Sequence, residues 1–196
     1  AEPAAAGAQA PEASVAERLG AALTGALIAD AVASRAHRSY DLESVRAKYR
    51  GWDLGEAAWQ QTECGDELLF ASAFVAERGF EFEAFVTDWQ EWAESYAGVQ
   101  GPAVQEALQS LADGVAPEAV GSHFVDLSGA VRLPALLLLA DRVDHEDLAV
   151  ASREMQLVTH ENPKSLQAGE FLLRAAMQLL RLPERPGSAP ERRAAM

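Results

Sequence analysis

Asp30 is a carboxylate set inside an apolar helix, and it is the first residue in this chain whose position invites chemistry. It lies in Arg18–Ser34, RLGAALTGALIADAVAS, a stretch with no other charge after Arg18. At 100° per residue Leu19, Leu23, Leu27 and Asp30 share one face. The remaining faces are little more polar, so this helix is expected to be central and buried, with Gly20, Ala21, Gly25 and Ala29 letting neighbours approach. A carboxylate buried without a partner costs several kcal/mol or is driven neutral. Asp30 therefore pairs with an arginine, caps another helix, belongs to a polar site, or is exposed after all. Glu170 repeats the pattern among Leu166, Leu173, Met177 and Leu180. Arg132, close to Gly129, has the planar fork to clamp an anion, and equally to face a buried Asp30 or Glu170. Both carboxylates are expected to find partners, with Arg132, Thr159 and His160 the leading candidates.

Other chemistry finds little support. His37, His123, His145 and His160 have no metal-like spacing to one another or to Cys64. His145 reads as solvated, and His160 as either a structural hydrogen-bonding residue or a ligand contact. Cys64 has no base beside it in sequence and reads as a buried structural thiol. No Gly-x-Ser-x-Gly, phosphate-binding loop or dinucleotide fingerprint is present.

These residues need helices to hold them. The 196 residues, 49% hydrophobic and 23% charged, suit one domain with a real core. Residues 1–14 read as a loose or partner-bound arm, 15–182 as the helical domain, and 183–196 as a tail. Asp41 is expected to cap a helix to Arg50, and Trp52 and Trp59 to cover a core edge. Asp66–Arg78 is expected to be a helix stopped by Gly79. In Glu81–Tyr96 an aromatic stripe, Phe85, Trp89, Trp92 and Tyr96, marks a core-facing helix. Pro102 can open a helix running to Asp113. The leucine-rich run after Ser128 is expected to be a buried helix interrupted or reset at Pro134. His145–Thr159 and Lys164–Arg181 form a helix pair, with Asn162 as cap and Pro163 as first helical residue. No strand alternation or hairpin dipeptide occurs, so the fold class is all-α.

In this order the segments resemble the ADP-ribosylglycohydrolase family, including its crystallin-like members. LTGALIADA resembles the family's opening helix, with Ala29-Asp30 at its Gly-Asp pair, and SYDLESVRAKY resembles a segment of one branch. TECGDELLFASAFVAERGFEFEAF resembles the motif helix, DLSGAVRLPAL a segment near the ligand, and THENP the family's Thr-His-x-x-Pro junction. The resemblance covers roughly Leu19–Leu180 and implies an orthogonal helical bundle of that type. It also implies a two-cation site with oxygen ligands, since hard cations such as Mg²⁺ require a dense set of them.

The departures oppose that site. With Glu67 at the family's Gln/Glu position, the Asp-Asp pair of the motif helix falls on Cys64-Gly65; a one-residue shift uses Asp66-Glu67 instead. The family's second cluster, Asp-x-Asp-Thr, does not occur in this sequence. The expectation is therefore no catalytic residue, no metal site and no cofactor, with Mg²⁺ needed only if the chain is active. The residues expected to line a vestigial ligand cleft are Asp30, Glu63, Asp66, Asp126, Ser128, Gly129, Arg132, Thr159 and His160.

Three functions compete on this footing. They are an inactive structural or accessory subunit of a larger assembly, a metal-free pseudoenzyme holding an ADP-ribose-like ligand, and an active ADP-ribosyl hydrolase. The first ranks highest, with protein partners reached through the terminal arms. A net charge of −14 argues against nucleic acid and anionic membrane as partners. The apolar run at Arg18–Ser34 reads as too short and too closely flanked by charge to span a bilayer. The single cysteine leaves the compartment open. The Ala/Pro-rich start without methionine reads as an end exposed by removal of an organellar or export signal, or equally by trimming.

Overall fold

The computed structural model describes residues 13–51 and 60–182. In chain order they form α1 (Val15–Ala33), a 3-10 turn (Ser34–Ala36), α2 (Leu42–Tyr49), α3 (Glu63–Arg78), α4 (Phe82–Ser95) and α5 (Pro102–Ala112). A second 3-10 turn (Pro117–Ala119), a long 3-10 helix (Ser128–Leu139), α6 (His145–Leu157) and α7 (Pro163–Arg181) complete them. No strand occurs among the described residues, where the β-type pairing is an isolated parallel bridge between Ser122 and His160. The fold is all-α, as expected. Of the expected arms 1–14 and 183–196, residues 13 and 14 are described, with Ser14 at the cap of α1. Residues 1–12 and 183–196 and the Trp52 and Trp59 positions lie outside the described residues.

Helix ends follow local chemistry. Ser14 and Glu17 cap α1 reciprocally. Asp41 accepts from Ser44 N at the start of α2, and Asn162 accepts from Lys164 N at the start of α7, with Pro163 inside its first turn. Gly79 ends α3 at φ 77°, left-handed backbone that favours glycine. α3 starts a turn earlier than Asp66, because the Thr62 side chain accepts from Cys64 N.

The core lies between α3, α4, the long 3-10 helix, α6 and α7. Ala71, Phe85, Trp89, Leu136, Leu148 and Met155 are fully enclosed there. The aromatic stripe of α4 packs as its spacing requires: Phe74 meets Phe85 edge-on at 5.2 Å, and Phe70 stacks on Trp92 at 5.4 Å. Trp92 and Tyr96, further along the stripe, are half-buried.

Ser128–Leu139 differs from the expected helix with a reset at Pro134, because it winds as a 3-10 helix straight through that proline. In an α-helix the proline ring crowds the carbonyl four residues back, and the tighter winding relieves that contact. Such runs rarely exceed three or four residues. Burial of Leu133, Ala135, Leu136 and Leu137 on several sides holds this one. Three residues per turn also place Gly129, Arg132 and Ala135 in one column, which matters at the site.

α1 corrects the expectation most. Leu19 is buried and Leu23, Leu27 and Asp30 are half-buried, so the expected inward face does pack. Ala21, Ala22, Gly25, Ile28 and Ala29 are exposed, Ile28 to 48%, and α1 is peripheral rather than central. Neither Gly20 nor Gly25 has a neighbour within 4 Å of where a Cβ would stand, so they do not serve close approach. The physical reason is area: a helix of Ala and Gly offers little apolar surface to bury, and the leucine-, phenylalanine- and tryptophan-bearing helices take the centre instead. The apolar run is also longer than expected. With its 3-10 turn, Val15–Ala36 makes 22 residues of mean hydropathy 1.2, enough by length and composition alone to cross a membrane. In the fold it is tied to α7 by Arg18, which donates to the carbonyls of Leu180 and Leu182, and to α3 by Asp30.

Candidate functional site

The N-terminal turn of α3 is where most of the expected residues converge. Asp30 reaches across from α1 and caps it: Oδ2 accepts from the Thr62 backbone N–H and Oδ1 from the Thr62 hydroxyl, both at 2.6 Å. Negative charge is favoured at a helix N-terminus, where backbone N–H groups lack partners. Gly65 makes the approach feasible, because a Cβ there would lie 2.5 Å from Asp30 Oδ2. Of the readings open for Asp30, the structure selects the helix cap. Its partner is Thr62, not Arg132, Thr159 or His160.

Glu63, the first residue of α3, is only 7% exposed. Its Oε2 accepts from Gly101 N at 2.6 Å and from Arg38 Nη2 at 3.2 Å, while Oε1 is buried without a partner among the described residues. Burial, with the Glu67 charge adding to it, pushes the Glu63 carboxyl up to about 7, against the opposing pull of Gly101 and Arg38. Burial likewise pushes the Cys64 thiol up to about 11.

Beneath this turn runs a buried polar chain. Arg132 is 0% exposed; it donates to Glu67 Oε1 at 3.2 Å and to the Thr159 hydroxyl at 2.7 Å. Glu67 also accepts from the Trp89 indole N–H at 3.1 Å, and the guanidinium lies 5.8 Å from the Trp89 ring centre. Having accepted from Arg132, the Thr159 hydroxyl turns its proton to His160 Nδ1, 2.9 Å away. That assigns the ring proton to Nε2, which donates to Asp126 Oδ1 at 3.1 Å. Burial, reinforced by Arg132, holds His160 below the usual histidine range against the pull of Asp126, so the ring is neutral at pH 7. Burial works against the Asp126 charge, but two bonds from Ser128 and the nearby ring outweigh it and hold that carboxyl low. Gly129 closes the chain from the 3-10 helix; a Cβ there would lie 2.7 Å from His160 Nδ1.

Above the chain, Glu63, Asp126 and Ser128 line a cleft of about 430 Å³ together with His37, Arg38 and Gly101. Asp30 lines a smaller apolar pocket of about 220 Å³ on the far side of Cys64 and Val131. Gly129, Arg132, Thr159 and His160 are all buried and form the floor rather than the walls. Asp66 is separate: its Oδ2 accepts from the Tyr96 hydroxyl at 2.9 Å and it faces another cleft. Glu170 sits at the rim of α7 between Arg153, at 2.6 Å, and Arg174, at 2.9 Å, and not against the expected partners. The reason is reach: Arg174 is one turn along the same helix, and Arg132 is already engaged by Glu67.

Sequence reasoning missed Arg38, Thr62 and Glu67 as members of this arrangement. Glu67 carried a signal, since it lies within the stripe that buries Glu63, Ala71 and Phe74 on α3.

A model of the ADP-ribosylglycohydrolase family matches residues 11–195. The chain belongs to that family, and its all-α bundle is of the corresponding type. No curated protein and no solved structure gives a match.

The donor set does not fit the pair of hard cations that the family resemblance implies. In one register the motif Asp-Asp pair falls on a thiol and a glycine. In the other it falls on Asp66, which faces a different cleft, and Glu67, which is engaged by Arg132. Each oxygen of Asp30 already accepts a bond from Thr62. Among the described residues no three His, Cys, Asp or Glu side chains are grouped to share an ion.

Proposed function

We propose that this chain is a catalytically inactive member of the ADP-ribosylglycohydrolase family that serves as a structural or accessory subunit of a larger assembly. The observation that carries the reading is the Asp30–Thr62 contact over Gly65. A direct carboxylate cap stands where a metal-bridged site needs facing carboxylates, and glycine supplies none. The assembly half of the reading is supported by α1. Its exposed face carries Ala21, Gly25 and Ile28 with no charge among them, a surface that an assembly partner could cover. Nucleic acid is a poor partner for a net charge of −14. Neither a cofactor nor a metal belongs to this reading.

The test is calorimetry with Mg²⁺ and Mn²⁺ beside an ADP-ribose release assay on ADP-ribosyl-arginine and ADP-ribosyl-serine peptides. Silence in both, with the chain recovered from cells within a larger complex, is expected. Two-site metal binding with metal-dependent release, lost in Asp30→Asn, would overturn it.

A second reading rests on the 430 Å³ cleft, where Arg38 and the Asp126–Ser128 pair could hold a ribose or phosphate group. It makes the chain a pseudoenzyme for an ADP-ribose-like ligand. Saturable ADP-ribose binding without metal, weakened by Arg38→Ala, would favour it over the first.

A further inference from the structure

Asp66 was expected in the vestigial cleft, yet it faces away from it, and what it faces has a different chemistry. The cleft there measures about 610 Å³ and is lined by Gln60, Asp66, Trp92, Ser95, Tyr96 and Gly98 among others. It is open and more polar than apolar, so a ligand there would be held by a few specific contacts rather than by enclosure. Among the described residues its lining contains no Lys, Arg or His, so phosphate and carboxylate ligands find no counter-charge there.

Two aromatic rings form its corner. Trp92 and Tyr96 lie with centroids 5.1 Å apart at 37°. Their positions are fixed from several sides: Phe70 stacks behind Trp92, the Tyr96 hydroxyl donates to Asp66, and Gly98 lies under the Tyr96 ring. A Cβ at Gly98 would stand 2.6 Å from that ring, so the close approach needs glycine. The corner is thus preformed, and binding there would order few side chains.

The electrostatics have one sign. Asp66 Oδ2 accepts from the Tyr96 hydroxyl, and no ion pair to Asp66 occurs among the described residues. Burial and the negative charges of Asp66, Glu63 and Asp30 together push the Tyr96 hydroxyl well above its ordinary range. A cation over the face of Trp or Tyr is attracted by the ring quadrupole, and a carboxylate beside it adds a direct charge.

We infer that the Asp66–Trp92–Tyr96 cleft is a binding site for a small organic cation of the alkylammonium class, separate from the family cleft at Glu63. The inference does not depend on the proposed function, since it uses none of the residues of that cleft as ligands.

Titration followed by saturation-transfer NMR tests it with choline and its neutral isostere 3,3-dimethylbutan-1-ol. An acetylated, amidated trimethyl-lysine presents the same head on a side chain. Saturable binding of either cation supports the site, and the tighter of the two names the source, free ion or protein side chain. The neutral isostere is expected to bind at least about tenfold more weakly, the difference that a charge beside aromatic rings supplies. Asp66→Asn keeps an acceptor for Tyr96 and is expected to weaken choline by a similar factor. Ser95→Arg, at an exposed rim position, places a competing cation there without touching the Asp66–Tyr96 bond, and is expected to do the same. No saturation by either cation, equal binding of the neutral isostere, or unchanged affinity in both folded variants would overturn the inference.

Discussion

Arg132 and Glu67 face each other at 3.2 Å with neither side chain more than 4% exposed, a fully enclosed ion pair under the first turn of α3. Replacing one partner leaves the other charge buried alone. Arg132→Met is expected to cost about 3–5 kcal/mol, measured by denaturant unfolding. The double variant Arg132→Met, Glu67→Leu should recover a large part of that loss, because the pair's desolvation penalty disappears with it. A single variant within about 0.5 kcal/mol of the parent would show that the pair is not closed to water.

Gly65→Ala places a methyl group 2.5 Å from Asp30 Oδ2 and 2.2 Å from Gln61 Oε1. Alanine would otherwise favour the helix, so a net loss of stability isolates the clash. We expect a loss of about 1–3 kcal/mol, with little further loss when Asp30→Ala is added. Additive losses would mean the two positions act independently.

Gly129→Ala is expected to be destabilising for a different reason. Its Cβ would lie 2.7 Å from His160 Nδ1, pressing on the ring that joins Thr159 to Asp126. The imidazole resonances of His160, followed by NMR, should show a changed tautomer or titration in this variant and remain as in the parent in a surface control such as Gln167→Ala.

Glu63 makes stability depend on pH. Its carboxyl is raised from the ordinary 4.5 to about 7, so the folded state holds a proton the unfolded chain releases. The stability it contributes is therefore full below about pH 4.5 and is lost as the pH rises through about 7. His160 has the opposite sign: its depressed value contributes stability above about 6.5, lost as the pH falls. The Glu63 part is isolated as the difference between parent and Glu63→Gln. That difference should shift against the parent by roughly 2–3 kcal/mol between pH 4.5 and 8. A flat difference curve would show Glu63 to be charged throughout.

The elements that read clearly in the sequence are those whose signal is local. Asp41, Asn162, Pro163 and Gly79 stop or start helices through groups within three residues, and the stripe Phe85, Trp89 repeats at the helical period, so both were legible. What failed needed the competition between helices. Arg18–Ser34 has the most uniformly apolar sequence, but hydropathy per residue is not area per residue, and its small side chains lose the centre to Phe74, Trp89 and Leu136. The same limit applies at the site. Asp126, Ser128 and Glu63 do line one cleft, whereas Arg132 and His160 chose partners at separations of 65 and 34 residues that no spacing rule reveals.

Cys64 lies between the two pockets at α3's first turn, and its thiol is pushed up to about 11. At neutral pH its thiolate fraction is then only about 10⁻⁴, and thiolate is the form that alkylates. Alkylation of the native chain is accordingly expected to run roughly a hundredfold slower than that of the unfolded chain, where solvation restores an ordinary thiol. With one cysteine in the chain, the rate at which iodoacetamide adds to the fold, set against that of the unfolded chain, reads how far the first turn of α3 withholds the thiolate.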